Sequence, residues 1–181
     1  MKRFSRAVAV CSGCVLGLLP VAGCQPVRFP ATVALDPSIG LLVVQAGVPS
    51  TKSGLVTFNN TSGITIGSGA LSLNASAITV TAAGPGKFLA FQATTTTLTI
   101  TARIAPPSER ETVCETGETY GPFTVALAPG FVPVSVEPAN FTITQSTIDL
   151  LNAGGFSLCL EVVSPIDGTV TIQSMAFDLG L

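Results

Sequence analysis

Carboxylates are the side chains of this sequence whose clustering suggests chemistry. Four glutamates fall within ten residues around Cys114: Glu109, Glu111, Glu115 and Glu118. Because Ca²⁺ binds six to eight oxygen ligands, the cluster is a weak candidate for a calcium site. A pair such as Glu115 and Glu118 would alternatively suit the two carboxylates of a glycoside hydrolase. No Asp-rich D-x-D-x-D-G loop is present, so we expect a solvated loop after Pro106-Pro107, with no bound metal.

Histidine is absent from all 181 residues. Its absence excludes Ser-His-Asp and Cys-His nucleophile systems and metal sites with histidine ligands. It also removes the one side chain whose unperturbed pKa lies between pH 5 and 8. Trp is absent as well, and Tyr120 is the single tyrosine, which weakens the case for a module that stacks sugars on aromatic rings. We therefore expect no enzymatic activity and no cofactor.

The amino terminus has the layout of an export signal. Its first six residues carry three positive charges, and Ala7 to Gly23 are small or apolar and uncharged. The segment is too short and wrongly flanked for a membrane span. It ends in Val21-Ala22-Gly23-Cys24, which resembles the lipobox of bacterial lipoproteins: an aliphatic residue, two small residues and a cysteine.

This resemblance covers residues 1–24 alone. It implies that residues 1–23 are a signal peptide, that Cys24 carries a diacylglycerol, and that its new amine is also acylated (by palmitate or a similar chain). Two or more acyl chains anchor a protein stably. The residue after Cys24 is Gln25 and not Asp. By the same resemblance, the absence of Asp at this position favours the outer membrane in a host with two membranes. The alternative is ordinary secretion, with cleavage near Ala22 or Gly23.

Cysteine usage agrees with export. Under this resemblance, Cys11 and Cys14 lie in the removed signal peptide, and Cys24 carries the lipid. An oxidising compartment favours joining the remaining pair, Cys114 and Cys159, although two buried thiols are the alternative.

The mature chain is acidic. It retains five basic residues against ten acidic residues, a net charge of −5. Such a chain is a poor partner for nucleic acid or for anionic headgroups. A short tether at 24–30 then leaves one domain at 31–181, close to the membrane.

Short alternating runs with turn residues between them predict an all-β fold. They recur at intervals of roughly ten residues, which is the spacing of strands in an antiparallel β-sandwich. We expect a sandwich of the jelly-roll or immunoglobulin-like type with about nine to eleven short strands. The most regular alternation is that of Thr97–Ile104. Further along the chain, Pro133 indicates that the strand containing it lies at the edge of a sheet. The apolar parity changes between Ile172 and Met175, which predicts a bulge near Gln173-Ser174. At most one short helix is expected, capped at Ser146 and stopped by Gly154 or Gly155.

These observations favour a lipid-anchored protein of the cell envelope with a non-catalytic structural, adhesive or binding role. Its partners would be the membrane through Cys24 and an envelope protein or a polysaccharide. Thr97, Thr99 and Thr101 share one strand face, and such a hydroxyl array would suit a polysaccharide or another sheet. The alternative is a carbohydrate-active envelope protein, either a glycan-binding domain or a glycosidase without histidine. An aromatic cleft with two facing carboxylates would favour the alternative, and a bare threonine or apolar face would favour the first interpretation.

Overall fold

A computed structural model of the chain describes residues 27–59, 63–83 and 96–181, which form twelve strands and three helices. The strands are β1 (Arg28–Ala34), β2 (Leu41–Val44), β3 (Ser50–Thr57), β4 (Ser68–Ser72), β5 (Ile78–Ala82), β6 (Thr96–Ala105), β7 (Glu118–Ala128), β8 (Val132–Glu137), β9 (Phe141–Thr142), β10 (Gly155–Val163), β11 (Gly168–Ile172) and β12 (Ser174–Gly180). The helices are α1 (Pro37–Gly40), α2 (Val113–Thr116) and α3 (Gln145–Ala153). The predicted all-β class is therefore confirmed.

The strands form three antiparallel sheets. One contains five strands in the order β3-β10-β6-β7-β8, and two smaller sheets have the orders β1-β12-β4-β9 and β2-β11-β5. Three stretches of chain run through both smaller sheets: β1 to β2, β4 to β5, and β11 to β12. Backbone hydrogen bonds continue across the junction, where Leu35 N donates to Gln173 O and Gln173 N donates to Ala77 O, both at 2.8 Å. The smaller sheets thus act as one bent layer.

The core lies between this bent layer and the five-stranded sheet. Each strand alternates, so that one set of side chains points inward. Phe156 of β10 meets Phe177 of β12 with ring centroids 6.2 Å apart, and Phe123 of β7 meets Phe141 of β9 at 4.8 Å. Both pairs are edge-to-face, the geometry that aromatic rings favour. Ring contacts between the two layers make the fold a sandwich.

Several boundaries differ from the sequence predictions. The described residues contain twelve strands where nine to eleven were predicted, and α1 and α2 accompany the one helix expected. Each of those two helices has four residues, too few to produce a helical period in the sequence. The first strand begins at Arg28 and pairs with β12, so the domain starts before residue 31. Pro30 is tolerated because β1 is an edge strand.

Other local predictions are confirmed in whole or in part. The strand predicted over Thr97–Ile104 is β6, and Pro133 lies in β8 at an edge of the five-stranded sheet. The predicted change of parity occurs at Gln173, with Val170, Ile172, Met175 and Phe177 all buried. It is not the predicted bulge, because Gln173 is where the chain passes from β11 of the three-stranded sheet to β12 of the four-stranded sheet. The longest helix, α3, is stopped by Gly154 at φ 96°, but its N-cap is Thr144 and not Ser146.

The sandwich has two ends. At one end, Leu181 N donates to Val27 O (3.2 Å) and Gly67 N donates to Gly180 O (2.9 Å). We call this the proximal end, defined by Val27, Ile64, Gly67 and Leu181. The opposite, distal end contains the turns at 45–49, 129–131 and 164–167, where Gly47 N donates to Ser164 O at 2.8 Å. Within the described ranges, no helix is both long and apolar enough to span a bilayer.

Candidate functional site

The two cysteines predicted to pair are joined in the structure. A disulfide links Cys114 and Cys159, which are 45 residues apart in sequence and have Cα atoms 5.2 Å apart. Val113 packs beside the bridge in a small buried cluster with Ala105 and Cys159. Arg103 Nη1 also donates a hydrogen bond to the Cys114 backbone oxygen. The bridge therefore joins α2 to β10, and the hydrogen bond from Arg103 joins α2 to β6.

The glutamates around this bridge do not assemble into a metal site. Glu109 ends a 3₁₀ turn, Glu115 lies in α2, and Glu118 begins β7. In the part of the chain that the structure describes, no three or more Asp, Glu, Cys or His side chains are grouped so that they could hold a metal ion. Glu109, Glu111 and Glu115 are exposed, as the solvated-loop interpretation expects. Glu118 is half-buried and has a structural role.

The carboxylate of Glu118 binds the amino-terminal end of α3. Glu118 Oε2 accepts hydrogen bonds from Thr144 Oγ1 at 2.5 Å and from Thr147 Oγ1 at 3.0 Å. The hydroxyls of Tyr120 and Thr147 lie 2.7 Å apart, and Thr144 N donates to Tyr120 Oη at 3.3 Å. Burial raises the pKa of Tyr120, so its phenol stays protonated at neutral pH. The network joins β7 to α3, and this role was not foreseen from the sequence.

Aromatic side chains are used for packing throughout the described part of the chain. Tyr120 and five phenylalanines are buried, whereas Phe29 and Phe141 are half-buried. None of the described aromatic residues is therefore exposed as a platform on which a sugar ring could stack. One groove of about 520 Å³ lies along β4, β9 and the start of α3 and reaches Arg28 of β1; it is lined mainly by small and polar residues. Its cation, Arg28, forms a salt bridge with Asp178 at 2.9 Å.

The threonine face predicted on β6 exists but is interrupted by charge. Thr97 is exposed, while Thr99 and Thr101 are half-buried on the outer side of the five-stranded sheet. Thr101 pairs with Glu161 of β10, and Thr124 of β7 lies between Thr99 and Glu137. Carboxylates therefore lie within this hydroxyl array.

A second and cleaner face lies on the outer side of the three-stranded sheet. Strand pairing places six side chains in two rows across the sheet, Leu41–Thr171–Thr79 and Val43–Thr169–Thr81. Neighbours within a row are about 4.8 Å apart, and the rows are about 6.7 Å apart, as in any regular sheet. None of the six carries a charge, and we call this set the distal face.

The exposure of the distal face is greatest along β2. Val43 is 72% exposed and Leu41 is 38% exposed, whereas the alternate residues Leu42 and Val44 are buried. Thr79 and Thr81 are exposed, and Thr169 and Thr171 are half-buried between their neighbours. The sequence signal was the repeated Thr-Val-Thr at 79–81 and 169–171, but nothing in it shows that these segments are adjacent.

Comparisons with known proteins do not add a functional site to this description. No protein-family model matches the chain, and no curated protein matches it. The surfaces described above are therefore interpreted from their own chemistry.

Proposed function

We propose that this chain is an exported, lipid-anchored protein of the bacterial cell envelope, and that it is a non-catalytic module binding a protein partner through its distal face. The amino-terminal resemblance to a lipobox supports the anchor at Cys24. The absence of histidine from the whole sequence supports a role without acid–base catalysis near neutral pH. The distal face supports binding, and it is the observation that carries the proposal.

The distal face differs from an ordinary solvated surface in composition. Natural edge strands are commonly protected by charged side chains or proline, which prevent pairing with other sheets. β2 reads Leu-Leu-Val-Val, carries neither, and has a hydrogen-bonded neighbour on one side only among the described strands. Contiguous exposed apolar surface marks interaction sites, and the two aliphatic side chains of β2 adjoin the methyl groups of four threonines on this face.

The same features favour a protein partner over a polysaccharide. Leu41 and Val43 supply apolar area that an aliphatic partner surface would cover, and the four threonine methyl groups extend it. A glycan-binding module typically stacks sugar rings on exposed aromatic side chains, and none of the described aromatic residues is exposed. Binding of a glycan to the distal face is therefore the competing result that the experiment below distinguishes.

The anchor is tested by replacing Cys24 with Ala. We expect wild-type protein to fractionate with membranes and its amino-terminal peptide to carry acyl chains by mass spectrometry. Cys24→Ala should abolish the acylated peptide and leave soluble protein or protein that retains its signal. Equal partition of both forms into detergent, with the signal removed from both, would reject the anchor.

The distal face is tested by photo-crosslinking in intact envelopes. A photoreactive side chain at Val43 should give one discrete adduct that contains a second protein, and Thr169→Lys should abolish it. The matched control carries the same group at Thr51, which is exposed on β3 of the other layer. Equal adducts at Val43 and Thr51 would reject the distal face as the binding surface, as would an adduct sensitive to glycan-degrading enzymes and not to protease.

A further inference from the structure

We propose that the proximal end is a lipid-contacting surface that rests on the bilayer, so that the sandwich stands end-on with the distal face held outward. This inference rests on the proposed anchor at Cys24 and adds to it the orientation of the domain. It follows from the length of the tether, the side chains at the proximal end and the charges on the flanks.

The tether limits how far the fold can lie from the lipid. Cys24 precedes Val27 by three residues, and Val27 is already fixed to Leu181 by a backbone hydrogen bond. A fully extended chain spans at most about 3.6 Å per residue, which gives a reach of about 11 Å. The headgroup layer on one side of a bilayer is about 5–7 Å thick. The proximal end must therefore lie within or just above the headgroups.

The side chains at the proximal end suit that position. Val27 is 66% exposed, Leu181 is 51% exposed and Ile64 is 36% exposed. Residues 63–68 read Gly-Ile-Thr-Ile-Gly-Ser and contain no charge. Their backbone is held in place because Ile66 N donates to Asn152 Oδ1 at 2.9 Å and Asn152 Nδ2 donates to Ile66 O at 3.0 Å. The exposed aliphatic groups are thus carried on a fixed backbone at this end, next to Arg28, which lines a groove with Gly67.

The flanks of the sandwich are less suited to lipid contact. Beside β1, the Arg28–Asp178 ion pair has side chains that are 57% and 50% exposed, and burying it in lipid would cost desolvation energy. On the five-stranded side, the exposed Glu109, Glu111 and Glu115 would lie against headgroup phosphates. An end-on orientation avoids placing the outer side of the five-stranded sheet, and these glutamates with it, on the headgroups. The Arg28–Asp178 pair adjoins Val27 and Gly180, so it lies at the proximal end, at the level of the polar headgroups and outside the hydrocarbon.

An end-on orientation also places the distal face where a partner can reach it. Residues 168–180 form β11, the junction and β12, which run continuously from the distal end to the proximal end. At about 3.3 Å per residue this stretch spans up to about 40 Å. Thr169 and its neighbours would therefore project well beyond the headgroup layer.

Single tryptophans test the orientation directly, because the chain contains none. Three full-length lipidated variants carry Trp at the proximal end (Ile64→Trp or Leu181→Trp) or at the distal end (Val48→Trp, at a side chain that is 47% exposed). Each is reconstituted into phosphatidylcholine vesicles with ordinary or brominated acyl chains. Circular dichroism and a mass spectrum of the acylated peptide establish that each variant is folded and anchored.

We expect brominated lipid to quench the fluorescence of Ile64→Trp and Leu181→Trp by at least half and to leave Val48→Trp unchanged. Anchored protein in which neither proximal tryptophan is quenched would overturn the orientation while leaving the anchor intact. Quenching of all three would show that the domain lies flat, which also overturns it. A spectrum without acyl chains at Cys24 would reject the anchor itself, and the orientation with it.

Discussion

Removing the disulfide is the most direct test of what stabilises this fold. We consider the double variant Cys114→Ala/Cys159→Ala. The bridge closes a loop with a sequence separation of 45 residues, which includes β7, β8 and α3. The chain-entropy model gives a stabilisation of about 4 kcal/mol at 25 °C for a loop of this length, because the bridge restricts the unfolded chain. Domains of this kind have total stabilities of about 5–15 kcal/mol, so the variant should fold with a reduced margin.

Urea unfolding followed by circular dichroism measures the loss. With a slope of about 2 kcal/mol per molar urea, the unfolding midpoint should fall by about 2 M while the slope changes little. Wild-type protein under reducing conditions is the matched control, because it keeps both sulfur atoms and loses only the covalent link. We expect the reduced wild type and the double variant to have similar midpoints.

Two results would refute this reasoning. A midpoint that shifts by less than about 0.5 M in both samples would show that the bridge does not limit the unfolded chain as the entropy model requires. A large shift in the double variant, with none in the reduced wild type, would assign the loss to packing around Cys159, a side chain only 1% exposed.

Three further perturbations probe the core, the polar network and the bent layer. Phe177→Ala removes a ring that packs edge-to-face against Phe156, and it should cost about 3–5 kcal/mol of unfolding free energy in the same urea assay. Since burial raises the pKa of Tyr120, its folded form resists ionisation, so stability is fully present below the ordinary tyrosine pKa of 10.0 and declines as pH rises above it. Tyr120→Phe should remove that decline, and in wild type the phenolate absorbance of this single tyrosine should titrate above pH 10.0. Gly168→Ala would place a Cβ 2.0 Å from Thr81 O and should cost about 1–3 kcal/mol, whereas Gly67→Ala, whose nearest contact would be 3.6 Å, should change the midpoint little.

The disulfide and the position of the parity change at Gln173 could both be predicted from local features of the sequence. Cys114 and Cys159 were paired by elimination, because the other three cysteines fall within residues 1–24, the segment that resembles a lipoprotein export signal. The change of parity at Gln173 was visible because apolar side chains alternate with a period of two within a strand. It was interpreted as a bulge, whereas the chain passes there from one sheet to the other. The pairing needed only a count of cysteines, and the parity change needed only one stretch of chain. The described residues agree with the pairing and with the position of the parity change.

The polar network around Glu118 and the distal face could not be predicted from such local features. Glu118 was considered as a calcium ligand or a catalytic acid because it lies near other glutamates in sequence. In the fold its carboxylate turns toward Thr144 and Thr147, which lie 26 and 29 residues away along the chain. Proximity in sequence therefore assigned it to the wrong neighbours.

The sequence alone determined the β class, the inward and outward alternation of most strands, and the resemblance of residues 1–24 to an export and lipidation signal. These properties depend on residue type and on spacing within short segments. Only the tertiary structure decided which strands are neighbours and in what register. Pairing between β11 and β5 brings Thr169 beside Thr81, although 88 residues separate them in the chain. Strand alternation specifies the face on which a side chain lies, but the identity of its neighbours depends on long-range packing of the two layers.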